Sequence, residues 1–391
     1  MAQPLTLEIL ADLIGFDTTS CNSNLALMAY VQRFLEQQGV NSELVYDGQE
    51  SKANLYATIG PANKAGVMLS GHTDTVPVTG QNWITEPYQL SEQDGRYYGR
   101  GTSDMKGFIA VVLAAVPQML KQPLHTPIHL AFSYDEEIGC VGVRRLIDTM
   151  QNHPLKPVFC IIGEPTSMQV VTAHKGKLAA RVTVTGKECH SGMAPLGVNA
   201  INYAARMINW LEQMAKSKRN SGPFEDGYDI PYSTVHTGTV QGGTALNIVP
   251  NKCSFLFEIR NIAAEDPRDL LALLQTYANE LVNEMHQIDA GCNISIEITT
   301  EYPGLSTAED AEVVAFVKKL AQSTANANIN FGTEGGLFSN VLGIPTVVCG
   351  PGSMDQGHKP DEFIHISQLQ QCEAFMARLI DELSASKFQG G

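Results

Sequence analysis

At 391 residues, 43% of them hydrophobic, the chain is globular and too long for one ordinary core, so two domains are expected. The net charge of -15 argues against nucleic acid, whose phosphates it would repel, and no run approaches the roughly 18 uninterrupted apolar residues of a membrane span. The eight cysteines lie far apart without C-x-x-C spacing and read as reduced packing residues, neither a disulfide framework nor a thiolate zinc site.

The start Met1-Ala2-Gln3-Pro4 lacks a basic region followed by an apolar one, and a cytoplasmic location is expected. Leu5, Leu7, Ile9, Leu10, Leu13 and Ile14, then Leu25, Met28, Ala29, Val31, Phe34 and Leu35, recur mostly at three- and four-residue steps. They predict two amphipathic helices, the second ended by Gly39. Strands are expected over 54–59, 67–70, 128–134, 158–162 and 346–349, with helices over 108–120 and 141–150 between them. Strands alternating with helices imply a largely parallel sheet covered on both faces. The middle of the chain changes rhythm: strand 178–186, helix 199–215, strands 234–240 and 254–260, helix 270–285 and strand 294–300. That β-α-β-β-α-β order is ferredoxin-like, and it predicts a small domain inserted in the larger one. The polar stretch 216–227 reads as a loop. Helices at 309–320 and 368–383 return to the first domain. The expected domains are 1–177 with 298–391, and 178–297 inserted between them.

The run Val67-Met68-Leu69 breaks into Ser70-Gly71-His72-Thr73-Asp74, which reads as a buried strand delivering His72 at its carboxyl end, where open α/β sheets build their sites. An H-x-D alone far more often marks a capped turn with a satisfied histidine. The same punctuation recurs, however. Gly99 to Gly107 sets Asp104 among glycines just before a helix, Asp135-Glu136-Glu137 closes one strand and Gly163-Glu164-Pro165 another, and Gly357-His358-Lys359-Pro360-Asp361-Glu362 puts a histidine after the last strand. Singly, Asp104 is also an N-cap, Glu136 and Glu137 are surface charges and Glu164 is a turn residue. Five such stretches at one sheet edge point to a site.

Two histidines and three carboxylates suit a pair of borderline divalent ions such as Zn²⁺, one carboxylate bridging. Two such ions roughly 3.5 to 4 Å apart hold a hydroxide between them and polarise a carbonyl. Of Glu136 and Glu137, one can ligate while the other takes the water's proton and passes it to the leaving amine. Asp74 is expected to accept the other imidazole N–H of His72 and fix its tautomer.

Together, Gly71-His72-Thr73-Asp74, Gly101-Thr102-Ser103-Asp104-Met105-Lys106-Gly107, Asp135-Glu136-Glu137 and Gly163-Glu164-Pro165 resemble the motifs of the M20 di-zinc metallopeptidases and deacylases, over essentially the whole chain. The resemblance implies an α/β fold with a mostly parallel, doubly covered catalytic sheet and an inserted ferredoxin-like α+β lid and dimerisation domain. It implies one metal on His72, Asp104 and Glu164 and another on Asp104, Glu137 and His358, with Asp104 bridging, a cis peptide after Asp104, and Glu136 as general acid and base. Two divalent ions are expected, Zn²⁺ first, with Co²⁺ or Mn²⁺ tolerated by the same ligands.

Carried over in the same way, His190 stabilises the oxyanion, while Asn247 and Arg260 contact the substrate. On the residues alone, His190 reads as a surface histidine and Arg260 equally as a strand-end salt bridge. The expected partners are a small-molecule N-acyl amino acid and a second copy of the chain, through the inserted domain. Ile162 to Ser167, Ala173-His174-Lys175-Gly176, Gly332-Thr333-Glu334-Gly335 and Gly350-Pro351-Gly352-Ser353 narrow the implied reaction to deacetylation of N2-acetyl-L-ornithine, giving ornithine and acetate for arginine biosynthesis. Gly332, Thr333 and Glu334 would then lie at the substrate, Glu334 facing its ammonium. Alternatives are a succinyl-diaminopimelate desuccinylase or a broad N-acyl-amino-acid amidohydrolase. A non-catalytic metal-binding protein would have lost the base or a ligand, and no matching position is lost.

Overall fold

The computed structural model describes residues 2–153 and 155–385. It divides into two compact units: Met1–His174 with Leu305–Asn328 and Thr333–Gly391, and Lys175–Gly304 with Ile329–Gly332. Met1 and residues 386–391, the two ends of the expected first domain, lie outside the described residues.

The first unit begins with α1 (Pro4–Ile14), α2 (Leu25–Gln37), β1 (Ser42–Tyr46), β2 (Ala53–Ile59), β3 (Val67–His72), β4 (Ser91–Gln93), β5 (Arg96–Tyr98), α3 (Lys106–Lys121), β6 (Ile128–Ser133), α4 (Val143–Gln151), β7 (Phe159–Pro165) and β8 (Val170–His174). The second carries β9 (Gly176–Thr185), α5 (Ala200–Ser221), β10 (Thr234–Gly242), β11 (Lys252–Asn261), α6 (Pro267–His286) and β12 (Asn293–Tyr302). The chain then runs through β13 (Leu305–Ser306), α7 (Glu312–Ala321), β14 (Asn326–Ile329), α8 (Gly335–Leu342), β15 (Thr346–Gly350), β16 (Phe363–His365) and α9 (Ile366–Ser384).

Among the described residues, the large sheet has nine strands, ordered β1-β2-β6-β3-β7-β15-β8-β13 with β14 beside β8. At its centre β6, β3, β7 and β15 are parallel, and β1, β2, β8 and β13 pair antiparallel. The central strands are buried along their whole length, which is why they read as apolar runs without alternation. Leu55 and Ala57 of β2, Val67 and Leu69 of β3 and Leu130 and Phe132 of β6 face one way, into a core shared with α1, α2, α3, α7 and α9. Helices α4 and α8 pack on each other and on the sheet's other face. Residues 106–113 of α3 are buried in succession, as befits a helix enclosed between the sheet and α1 and α9.

The second unit pairs four antiparallel strands, β10-β11-β9-β12. Leu178, Ala180, Val182 and Val184 alternate with more exposed neighbours along β9 and meet α5 and α6 in a separate core. This is the ferredoxin-like order expected from the sequence. The loop expected over 216–227 is corrected in its first half: α5 continues to Ser221 and stops at Gly222, whose φ is 72°. Lys216, Lys218 and Arg219 are good helix formers on an exposed turn, and Lys216 pairs with Glu212 one turn earlier, so the helix persists with no apolar period to announce it. No helix among the described residues is long and apolar enough to cross a membrane.

Candidate metal centre

Four neighbouring parallel strands end at one edge of the large sheet, and each delivers side chains there. His72 is the last residue of β3, Glu136 and Glu137 follow β6, Glu164 is the penultimate residue of β7, and His358 lies in the loop after β15. Asp104 arrives from the turn before α3, and its peptide bond to Met105 is cis. Glycine lets these elements close on one another. A Cβ on Gly163, beside Glu164, would lie 2.1 Å from the Phe108 ring of α3, so only glycine lets that helix pack against β7 here.

The five residues expected as ligands converge. His72 Nε2 lies 2.9 Å from Asp104 Oδ1 and 3.5 Å from Glu164 Oε1. His358 Nε2 lies 3.2 Å from Asp104 Oδ2 and 3.0 Å from Glu137 Oε2. Asp104 therefore turns one oxygen toward each histidine. Donor atoms of His72, Asp104 and Glu137 fall within 4.8 Å of one another, and so do those of His72, Glu136 and Glu164. Distance alone thus leaves both Glu136 and Glu137 within ligating reach. His72, Asp104 and Glu164 are buried, Glu136 and Glu137 half-buried, and His358 exposed on one side.

The imidazole of His72 is oriented through Nδ1, which sits 3.0 Å from the main-chain oxygen of Asp74 and 3.5 Å from its carboxylate. That carboxylate is engaged elsewhere as well. It accepts from Ser20 Oγ at 2.7 Å and from the backbone N–H groups of Glu136 at 3.0 Å and Glu137 at 3.3 Å. Asp74 therefore fixes the backbone of the two glutamates as well as the histidine beside it.

The electrostatics describe a cluster short of positive charge. Burial pushes the Glu136 carboxyl up to about 8, with His72 opposing and Glu137 and Glu334 adding to the rise. Burial and the neighbouring Asp104 raise Glu137 to about 7, and burial holds Glu164 well above the carboxylate range. Burial opposes the charge on His72, but Glu164 and Asp104 outweigh it and raise its pKa well above that of an ordinary histidine. His358, hydrogen-bonded to Asp104 and Glu137, rises to about 10. Glu164 Oε2 is buried without a hydrogen-bond partner. Four crowded carboxyls, two imidazoles and an orphaned oxygen are a donor set that divalent cations fit, because cations supply the missing charge and take up the free lone pairs.

The profile of Peptidase family M20/M25/M40 matches residues 68–382. The chain belongs to that family. It is 35% identical over 384 residues to an acetylornithine deacetylase of Myxococcus xanthus, covering 96% of this chain and 97% of the relative. An acetylornithine deacetylase of Pasteurella multocida is 33% identical over 387 residues, covering 97% and 98%. An M20 family metallo-carboxypeptidase of Sulfolobus solfataricus superposes with a TM-score of 0.77 at 20% identity, covering 98% and 100%, a likeness of fold alone. As an M20 member the chain is a hydrolase of amide bonds, in a family that is metal-dependent.

The M20 chain also braces this edge with residues whose part the sequence did not disclose. Glu362 is buried and accepts from Arg100 Nη1 at 2.7 Å and from the backbone N–H groups of Gly101 at 3.1 Å, Ser103 at 2.9 Å and Asp104 at 3.0 Å. One carboxylate thus ties down the whole turn that carries Asp104. Arg100 also donates to Gln81, and Gln81 Nε2 donates at 2.9 Å to the carbonyl of His358, a residue held at φ 62° in the left-handed region. Lys106, fully buried, donates to the carbonyls of Leu13 and Phe16 and stitches the start of α3 to the end of α1.

Other expected site residues divide between the units. Thr333 and Glu334 are buried in the first unit, where Thr333 Oγ1 accepts from Gly335 N at the start of α8. Burial pushes the Glu334 carboxyl up to about 7, against the pull of Ser133 and His72, and its Oε1 lacks a hydrogen-bond partner. His190, Asn247, Arg260 and Gly332 belong to the second unit. His190 is exposed, and its Nδ1 accepts from Gly192 N at 3.1 Å. Asn247 is exposed, with its carbonyl accepting from Ser191 N. Arg260 donates to Tyr302 Oη at 2.9 Å and to Glu258 Oε1 at 3.2 Å. A Cβ on Gly332 would lie 2.2 Å from the Tyr302 ring, so a side chain there would displace that ring.

Proposed function

We propose that the chain removes the acetyl group of N2-acetyl-L-ornithine, releasing ornithine and acetate for arginine biosynthesis. The observation that carries the reading is the bridging posture of Asp104, one oxygen toward His72 and the other toward His358. In this reading His72, Asp104 and Glu164 hold one divalent ion and Asp104, Glu137 and His358 the other, with Zn²⁺ favoured by the nitrogen and oxygen donors and Co²⁺ also suited. Ions bound there lower the pKa of a water towards about 7 and polarise the amide carbonyl.

The chain's own groups do the rest. Glu136, backbone-fixed by Asp74, takes the water's proton and returns it to the leaving amine. In the family the inserted unit lends groups to a partner's active site, and in that way His190 carries part of the charge developing on the carbonyl oxygen while Asn247 and Arg260 contact the substrate. Glu334, beside Gly332 and Thr333, answers the side-chain ammonium with its unpartnered oxygen. The acetylornithine deacetylases of Myxococcus xanthus and Pasteurella multocida, matched nearly end to end, support this substrate.

Metal-reconstituted enzyme assayed on N2-acetyl-L-ornithine beside N-succinyl-diaminopimelate tests the assignment. Preference for the first by about a hundredfold in kcat/KM is expected, since the succinyl group brings a further carboxylate toward a site already crowded with carboxyls; preference for the succinyl substrate would replace the reading with a desuccinylase. On the same enzyme, Glu334→Gln is expected to weaken turnover of N2-acetyl-L-ornithine far more than that of N-acetyl-norvaline, which lacks the ammonium. Equal losses on both would take Glu334 out of substrate recognition.

The inserted unit is read as a dimerisation surface. Met193, Leu196, Val240, Leu246 and Ile248 are all exposed there, a concentration of apolar surface that a second copy would cover. Sedimentation is expected to give twice the 42.4 kDa of one chain. A fully active particle of single-chain mass would remove the dimer.

A further inference from the structure

We propose that Cys140 is a positioning residue for Glu136, its thiol holding one carboxylate oxygen so that the other faces the reacting atoms. The loop 135–142 is tightly made. The backbone N–H groups of Gly139 and Cys140 both donate to the carbonyl of Glu136 at 2.8 Å, Val141 N donates to the carbonyl of Asp135, and Asp74 accepts from Glu136 N. Cys140 adopts a φ of 54°, uncommon for a residue with a side chain, and it is fully buried. That conformation brings its Sγ to 3.4 Å from Glu136 Oε1, with the thiol donating.

The backbone of Glu136 is fixed from both ends, but its side chain has further torsions to lose, and the thiol is what arrests them. A thiol is a weak donor. It restrains the carboxylate while stabilising its ionised form less than a hydroxyl or an N–H would, and so leaves its basicity to the surroundings. Burial, Glu136 and Glu334 hold the Cys140 thiol well above its ordinary pKa, so it keeps the proton that it donates. A buried cysteine that served packing alone would cost some stability but no turnover when replaced by another small side chain.

The proposal rests on the reading of Glu136 as the base, and the test separates the two. Cys140→Ala, Cys140→Ser and Glu136→Gln are prepared as metal-reconstituted enzyme, and each is measured for kcat, KM and bound metal on whichever of N2-acetyl-L-ornithine, N-succinyl-diaminopimelate and N-acetyl-norvaline the parent turns over fastest. Cys140→Ala is expected to lower kcat about tenfold with KM within about twofold and metal content unchanged, because a base displaced by a fraction of an ångström transfers protons less often. Cys140→Ser, which restores a donor, is expected to recover kcat to within about threefold of the parent. Wild-type kcat in Cys140→Ala, a loss that tracks lost metal, or a serine variant no better than alanine would each overturn the positioning role while an inactive Glu136→Gln left the base in place. An active Glu136→Gln would remove the base and this proposal together.

Discussion

Glu136→Gln is expected to lower kcat on N2-acetyl-L-ornithine by about a thousandfold, with KM changed little and both metals retained. The amide matches the carboxylate in shape and keeps the backbone bond to Asp74, so the loop stays where it is. What it loses is the ability to take a proton, a step worth about 10²–10⁴ in rate. Metal content is the informative second readout, because donor atoms of Glu136, His72 and Glu164 also lie within 4.8 Å of one another. If the variant lost an ion along with its activity, Glu136 would be a ligand, and the base would have to be sought at Glu137.

The second large effect is expected on stability, at a residue that meets no substrate. Glu362→Ala removes the only acid paired with the buried Arg100 among the described ion pairs, and three backbone N–H groups lose their acceptor at once. Breaking a buried pair from one side costs about 3–5 kcal/mol. In a chain of this size that lowers Tm by roughly 5 °C. Because the freed N–H groups belong to the turn that carries Asp104, metal affinity is expected to fall about tenfold or more as well. Thermal melts of the metal-free and metal-loaded variant measure both losses. A variant that melts with the parent and binds metal equally well would show the turn to be held by other means.

Much of this architecture was legible because it rests on local pattern. The four parallel strands are short apolar runs, three of them running into a ligand-type residue, and the inserted unit alternates as half-exposed strands do. Less visible were elements defined by distant partners. β8 is an apolar stretch close behind β7 and merges with it by eye, and α8 opens on Gly335-Gly336, which reads as a turn. Glu362 stood in the quoted His358 stretch as one acid among others; its acceptors' partners lie some 260 positions earlier, from Arg100 to Asp104, and no periodicity reports such a contact. Cys140 looks like a packing residue in the sequence for the same reason, since the left-handed turn at its own backbone is what aims it at Glu136. The H-x-D spacing shows Asp74 beside His72, but not that its carboxylate also holds the backbone across the neighbouring strand.

His174 and Leu305, where the chain leaves the first unit and comes back, are register partners on adjacent antiparallel strands. Topologically, all of Lys175–Gly304 stands where a hairpin would have its turn. The entropy of closing such an excursion grows only as the logarithm of its length, about 0.6 kcal/mol for each doubling, so the ladder scarcely registers how large the detour is. The pairing of β8 with β13 therefore tolerates a body of almost any length between its two strands.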